Sequence, residues 1–306
     1  MNWILSGFAV FMAAPLLCQV VPRALRLAQT GHCVEALPLL KGGSAQNAQL
    51  KRDYQLAGVR CAMALNRISD ALGFAHVLQR DFGADPEVLY VLTHIYSDLS
   101  MRASQDLLSK APSSYQVHQL NAEALEIQGK WDDAAKEYEA ILESKPDVAG
   151  IHFRLGRLLL SKQPQTPDQV EKARQEFEAE LKVNPTNAGA EFVLGELARR
   201  DEKFEDAIAH FSRAVEYDAG NADAHLGLGR SYMGAKRYKE AIPPLETAAR
   251  LESANPETHF QLATAYAREG RKADSAREAS LHKAMLTRDR ERQDSISKGV
   301  RGISNQ

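Results

Sequence analysis

Residues 188–221, AGAEFVLGELARRDEKFEDAIAHFSRAVEYDAGN, and residues 222–255, ADAHLGLGRSYMGAKRYKEAIPPLETAARLESAN, place matching side chains 34 positions apart. Leu194 aligns with Leu228 and Leu262, Gly195 with Gly229 and Ala263, and Phe192 with Leu226 and Phe260. Ala207 aligns with Ala241, and Ala214 with Ala248. Five registers at one period make an internal repeat. A small residue at the eighth position and Ala at the twentieth let two helices approach closely, while Leu, Phe and Tyr at helical spacing fill the gap beside them. One such pair leaves an apolar face that only its neighbour covers, so the spacing predicts a stack.

Working outward, Leu155-Gly156 joins the register if five extra residues are placed in the loop Ser161–Thr166, and Thr166-Pro167 is a helix start. Ala134, Tyr138, Ile141 and Pro146 fit the second half of an earlier unit. The set Leu228, Gly229, Tyr232, Ala241, Leu245 and Ala248, with its counterpart Leu194, Gly195, Ala207, Phe211 and Ala214, resembles the tetratricopeptide repeat family. The resemblance implies an all-α fold, a right-handed superhelical solenoid of antiparallel helix pairs. We place about seven units over residues 52–289: 52–85, 86–114, 115–148, 149–187, 188–221, 222–255 and 256–289. The 86–114 unit is short, and its second helix, Arg102–Lys110, fits the pattern weakly. A degenerate half repeat is expected at 22–51, because Gly31 to Leu37 resembles Gly129 to Ala135 at the turn into a second helix.

The chain has 306 residues, 44% of them hydrophobic and 25% charged, which excludes a wholly disordered chain, a collagen and a polytopic membrane protein. Its 38 basic and 40 acidic side chains nearly balance, so no overall field attracts nucleic acid. The distribution is uneven. Residues 115–270 carry 19 basic and 27 acidic groups, whereas 271–306 carry 9 and 5. The end of the chain, 290–306, has few large apolar residues to offset its ordering entropy, and is expected to be a basic disordered tail.

From Trp3 to Val21 the stretch is apolar but for Ser6 and Gln19, and nothing is charged before Arg23. Residues 1–21 read as an export signal cleaved near 18–24, with a retained membrane anchor or a buried capping helix as alternatives. The expected location is accordingly periplasmic or secreted. Cys33 and Cys61 could pair in an oxidising compartment or remain buried thiols, and the sequence leaves both open.

No metalloprotease, nucleophile-elbow, phosphate-loop, dinucleotide or paired-cysteine motif occurs. His118, His152, His225 and His259 share the fourth position of their units, but equivalent positions in stacked helix pairs stand roughly 8–10 Å apart, too far to share a metal. We therefore expect no enzyme, no metal and no cofactor, and read these histidines as packing residues. Acid pairs such as Asp132-Asp133 and Glu205-Asp206 suit the positive end of a helix. Trp131, Phe204 and Tyr238 read as packing residues at the turns.

The family resemblance implies a protein or peptide partner in a concave groove lined by the fifth and ninth positions of the first helices. The fifth-position row includes Tyr90, Phe153, Phe192, Leu226 and Phe260. The ninth-position row includes Arg157, Glu196 and Arg230, whose alternating charge also admits plain ion pairs between neighbouring helices. Arg199, Arg200 and Arg268 lie further along the same helices without an obvious partner. The groove is expected to be apolar along its floor and basic at its side, suited to a segment of about 9–12 residues at three per unit. A tethered assembly factor for envelope or secreted complexes is the alternative.

Overall fold

Residues in the left-handed backbone region break the chain into helices at recurring intervals. Gly31, Gly129 and Gly270 hold that conformation, and so do Asn66, Glu202 and Lys236. The computed structural model describes residues 22–42, 47–161 and 164–303. The export segment read at 1–21 lies outside the described residues, as do 304–306. Among the described residues the chain is all-α and carries no strand. It divides into two units, the first ending at Lys110 and the second beginning at Ala111.

In the first unit α1 (Arg23–Gln29) packs on α2 (Cys33–Gly42) and both pack on α3 (Ala48–Ala64). Next, α4 (Ile68–Phe82) folds back on α3, and α5 (Pro86–Lys110) packs on α4. The core gathers Leu25, Leu37, Leu40, Leu56, Phe74, Leu78, Leu92 and Ile95. Three expectations are corrected here. Residues 22–51 are no half repeat: they supply a complete pair of short helices and the start of α3. The unit placed at 52 starts one residue earlier, because Gly58 is the close-contact residue: a Cβ on it would meet Phe74 Cε1 at 2.5 Å. Leu56, which would be the fifth residue of a unit starting at 52 and so face a groove, is buried. Finally, 86–114 forms no pair. Beyond Pro86 its helical stretch contains no Gly or Pro, and Asp98 and Arg102 join at 2.9 Å one turn apart, so nothing breaks the helix before Lys110.

The second unit is a solenoid of helix pairs. They are α6 (Tyr115–Ile127) with α7 (Trp131–Ser144), α8 (Ile151–Ser161) with α9 (Pro167–Val183), α10 (Ala188–Arg200) with α11 (Phe204–Tyr217), α12 (Ala222–Gly234) with α13 (Tyr238–Leu251), and α14 (Pro256–Arg268) with α15 (Lys272–Ile303). Each second helix packs on the next first helix, and α12 touches both α10 and α14. The glycine rule is met atom by atom. A Cβ on Gly156 would lie 2.8 Å from Phe177, one on Gly195 3.0 Å from Phe211, and one on Gly229 would fall on Leu245. Those three partners are fully buried.

The starts of the first helices repeat as well. Asn187, Asn221 and Asn255, again 34 apart, accept from the backbone N–H of Ala190, Ala224 and Glu257 at 2.9–3.0 Å, each cap worth about 1 kcal/mol. The buried Glu180 carboxylate accepts from Gly150 N–H and from Asn187 Nδ2, both at 2.9 Å, tying the start of α8 to the cap of α10. Thr166 and Gln169 close a capping box on α9 after the longer loop. Trp131, Phe204 and Tyr238 each open a second helix. Where a disordered tail was expected from 290, the helix α15 continues to Ile303, its side chains at 288–293 exposed. At 290–293 Arg, Glu, Arg and Gln are good helix formers of mixed charge.

Candidate functional site

On the first helices of the second unit, the fifth-position row is mostly packed rather than presented. Phe153 and Phe192 are half-buried and meet Phe177 and Phe211 edge-on, with centroids 5.6 and 5.8 Å apart. Leu226 is buried. Phe260 alone of these is open, 48% exposed and tilted against His282. The continuous apolar floor expected from 153 onward is thus reduced to its last residue, because each aromatic one helix earlier fills the gap between first and second helix.

The charges sort in a similar way. Arg199 is not without a partner: its Nη2 lies 2.6 Å from Glu196 Oε2, one turn back. Arg230 reaches Glu257 at 3.9 Å, and Glu123 pairs with Arg154 at 3.0 Å, so of the ninth-position charges Glu123, Glu196 and Arg230 are paired, though not with one another. Arg157 lies over the Phe153 ring and Arg268 over the Tyr238 ring, at 6.0 and 5.6 Å, both exposed. Arg200 is exposed beside a shallow cavity of about 350 Å³ that includes Arg174 and Asp201. Among the described residues, none of Arg157, Arg200 and Arg268 has a carboxylate within 4 Å. Tyr90 belongs to the first unit, the other predicted groove residues to the second.

The histidine register carries a pattern that sequence reading missed. His118 Nδ1 lies 2.7 Å from Glu137, His152 Nδ1 2.7 Å from Glu176, and His259 Nδ1 2.7 Å from Glu278. In α10 and α11 the partners are exchanged: Glu191 receives His210 at 2.6 Å and Arg213 at 2.5 Å. The spacing is 19 residues in three of these, and 24 where the longer loop intervenes. At His225 the nineteenth residue is Pro244, which offers no side-chain acceptor, and Nδ1 stays buried without a partner while Nε2 meets the Ala219 carbonyl at 3.2 Å. These bridges join the helices of a pair; they do not assemble a reactive centre. Among the described residues no three His, Cys, Asp or Glu side chains converge to hold a metal.

Glu191 is the most confined of these acids. Burial disfavours its charge, yet the hydrogen bonds from His210 and Arg213 outweigh burial and hold its carboxyl below the ordinary range. Burial and a bond to Glu246 push the Tyr266 hydroxyl up to about 12, which keeps it a neutral donor to that carboxylate.

In the first unit Cys33 and Cys61 are joined by a disulfide that ties α2 to α3. A cavity of about 700 Å³ opens beside it, lined among others by Leu25, Arg52, Leu56 and Arg60. The Arg52 guanidinium there is occupied by Asp85 at 2.7 Å and Glu87 at 2.6 Å. Tyr90 is 66% exposed and stands edge-on to His94 at 4.5 Å.

A family model for the tetratricopeptide repeat matches residues 120–188, 168–224, 192–256 and 226–281, a run covering more than half of the chain. No curated protein matches the sequence. Among solved structures the MamA protein is 18% identical at a TM-score of 0.50, over 58% of this chain and 94% of that one. A MamA double mutant from RS-1 is 15% identical at 0.51, over 58% and 97%. YrrB, described as a TPR protein with an unusual peptide-binding site, is 16% identical at 0.52, over 60% and 92%. At these identities the likeness is one of fold. With the glycine contacts and the asparagine caps recurring at 34 residues, and a family model running through the same helices, the chain belongs to the tetratricopeptide repeat family.

Proposed function

We propose that this chain is an exported, non-enzymatic interaction module that holds an extended segment of a partner protein along the first helices of its second unit. The fold is one used for protein–protein interaction. The observation that carries the reading is the set Arg157, Arg200, Phe260 and Arg268: exposed side chains on first helices, three of them cations with no carboxylate within 4 Å among the described residues. Most neighbouring charges are paired, so these stand ready for an acidic, partly apolar segment of about 9–12 residues. Export is supported by the uncharged stretch 3–21 and by the Cys33–Cys61 bond, which persists in oxidising compartments.

The test is a selection of twelve-residue displayed peptides on the full chain, followed by binding of the selected peptides to Phe260→Ala/Arg268→Glu. Phe192 is unsuited to this purpose because its ring packs on Phe211. We expect binding to fall at least tenfold and to weaken with salt. Unchanged binding in the double variant rejects this face. The alternative of a tethered assembly factor is favoured by the same uncharged stretch, and no described helix is long and apolar enough to cross a membrane. N-terminal sequencing of the native protein separates the two: a start between about residues 18 and 24 supports a cleaved signal, and an intact start in the membrane fraction supports the tether.

A further inference from the structure

The first unit holds an apolar pocket of about 360 Å³ between α3 and α5, lined by Val59, Arg60 and Met63 on one side and by Tyr90, Val91, His94, Ile95 and Asp98 on the other. Its size is that of a small recognition pocket. Val59 and Ile95 are buried at its base, whereas the Tyr90 ring is largely exposed. An exposed aromatic beside a buried aliphatic floor is uncommon on a surface with no partner, and at interfaces such rings are the residues that carry binding.

One face of α5 borders the pocket along the first half of the helix, before residue 101. That face carries Tyr90, Val91, His94, Ile95 and Asp98 at successive turns toward α3. No part of it belongs to the region matched by the family model.

Charge at the rim tells which ligand fits. Asp98 is neutralised by Arg102 at 2.9 Å, and Arg102 also donates to Asn66. The guanidinium of Arg52, nearby on α3, is filled by Asp85 and Glu87. Arg60 differs from both. It is exposed, its Nε donates only to the Leu56 carbonyl at 3.3 Å, and among the described residues no carboxylate lies within 4 Å of it. Its remaining N–H groups are free to take a carboxylate two at a time. A greasy floor with one unpaired guanidinium at its edge is complementary to a large apolar side chain followed closely by an acidic one.

We infer that this pocket is a second docking site, which receives a partner peptide by burying an aromatic or large aliphatic side chain beside Tyr90 while an adjacent Asp or Glu pairs with Arg60. The inference rests on the reading of the chain as a peptide-binding module, but it concerns a different unit and different residues.

The experiment uses the same peptide selection on the full chain, with variants in each unit measured separately. Circular dichroism and the thermal midpoint check the fold of Tyr90→Ala, Arg60→Glu and Val91→Trp, the last of which fills the pocket and leaves Arg60 in place. The expected result is a class of peptides with an apolar residue next to Asp or Glu. Their Kd should rise at least tenfold in each of the three variants and hold steady in Phe260→Ala/Arg268→Glu. Replacing the peptide's acid by Lys should restore binding to Arg60→Glu. Peptides whose Kd is unchanged in Tyr90→Ala and Arg60→Glu overturn the pocket. If those peptides depend on Phe260 and Arg268 instead, the proposed function stands and this inference falls. If no peptide is selected at all, both fall. A concentration-dependent dimer abolished by Tyr90→Ala would assign the pocket to a second copy of the chain and likewise overturn the inference.

Discussion

Glu191 is nearly enclosed and receives three hydrogen bonds from His210 and Arg213. Glu191→Gln keeps the shape and removes the charge that those donors answer, so it is expected to cost about 2 kcal/mol, read from denaturant midpoints. The carboxyl is held below its ordinary value in the folded chain, so the stability it contributes is fully present above that ordinary value and is lost as pH falls through the lower folded value. The gap between wild type and variant should therefore narrow as pH falls below the ordinary carboxylate range; a constant gap would show that the charge contributes nothing. Gly229 tests the other contact on which the pairs depend. A leucine there would collide with Leu245, a clash expected to cost about 1–3 kcal/mol, and an unchanged thermal midpoint would contradict the helix contact described. The bridge at Glu191 was legible in sequence only as a spacing of 19, and its exchanged order of His and Glu hides it from any search by residue type. Gly229 was plain, since its size and its period pointed the same way.

At the scale of elements, the turns between the helices of a pair show a graded solution to one requirement. The residue after the first helix is left-handed: Gly129 and Gly270 adopt this freely, while Glu202 and Lys236 do so with a side chain, at φ of 58° and 61°. A non-glycine residue there costs about 1 kcal/mol, so Lys236→Gly should raise the thermal midpoint by a few degrees, provided that the gain is not cancelled by a freer unfolded chain. A lowered midpoint would show that the Lys236 side chain contributes contacts of its own. Sequence reading found these turns from Gly129, Trp131 and Tyr238, and it located nearly every helix of the second unit. It failed at α5 because a break was assumed where the repeat needs one, although residues 96–101 contain no residue that ends a helix. It failed at the start of α3 because Val59, not Gly58, was given the close-contact position. It also lost most of the apolar row, since a periodic aromatic looks the same in sequence whether it faces a groove or, as Phe192 does, a neighbouring ring.

For the whole molecule, the two units are secured differently. The second closes with repeating caps and glycine contacts, while the first adds one covalent tie between α2 and α3. Closing a loop of 28 residues stabilises by about 3.5 kcal/mol in the chain-entropy model. Reduction, or Cys33→Ser with Cys61→Ser, should therefore speed hydrogen exchange in α1 to α4 while leaving α8 to α14 nearly unchanged. Equal loss of protection in both units would mean that they unfold as one. Trp131 lies in the second unit, so its fluorescence follows that unit while exchange reports on the first.

The same bond fixes how the chain answers a pull. A stack of helix pairs is drawn out pair by pair when its ends are separated, each unfolding element adding its full contour to the tether. Residues between Cys33 and Cys61 are shielded from that tension, because the load passes through the sulfur atoms and bypasses the 28-residue loop. At roughly 3.3–3.6 Å per residue, about 90 Å of extension is withheld in the oxidised chain and released only after reduction. Stretched between two tethers, the molecule would have a length set by its redox state, and a single-molecule pulling trace would record the difference as one added step.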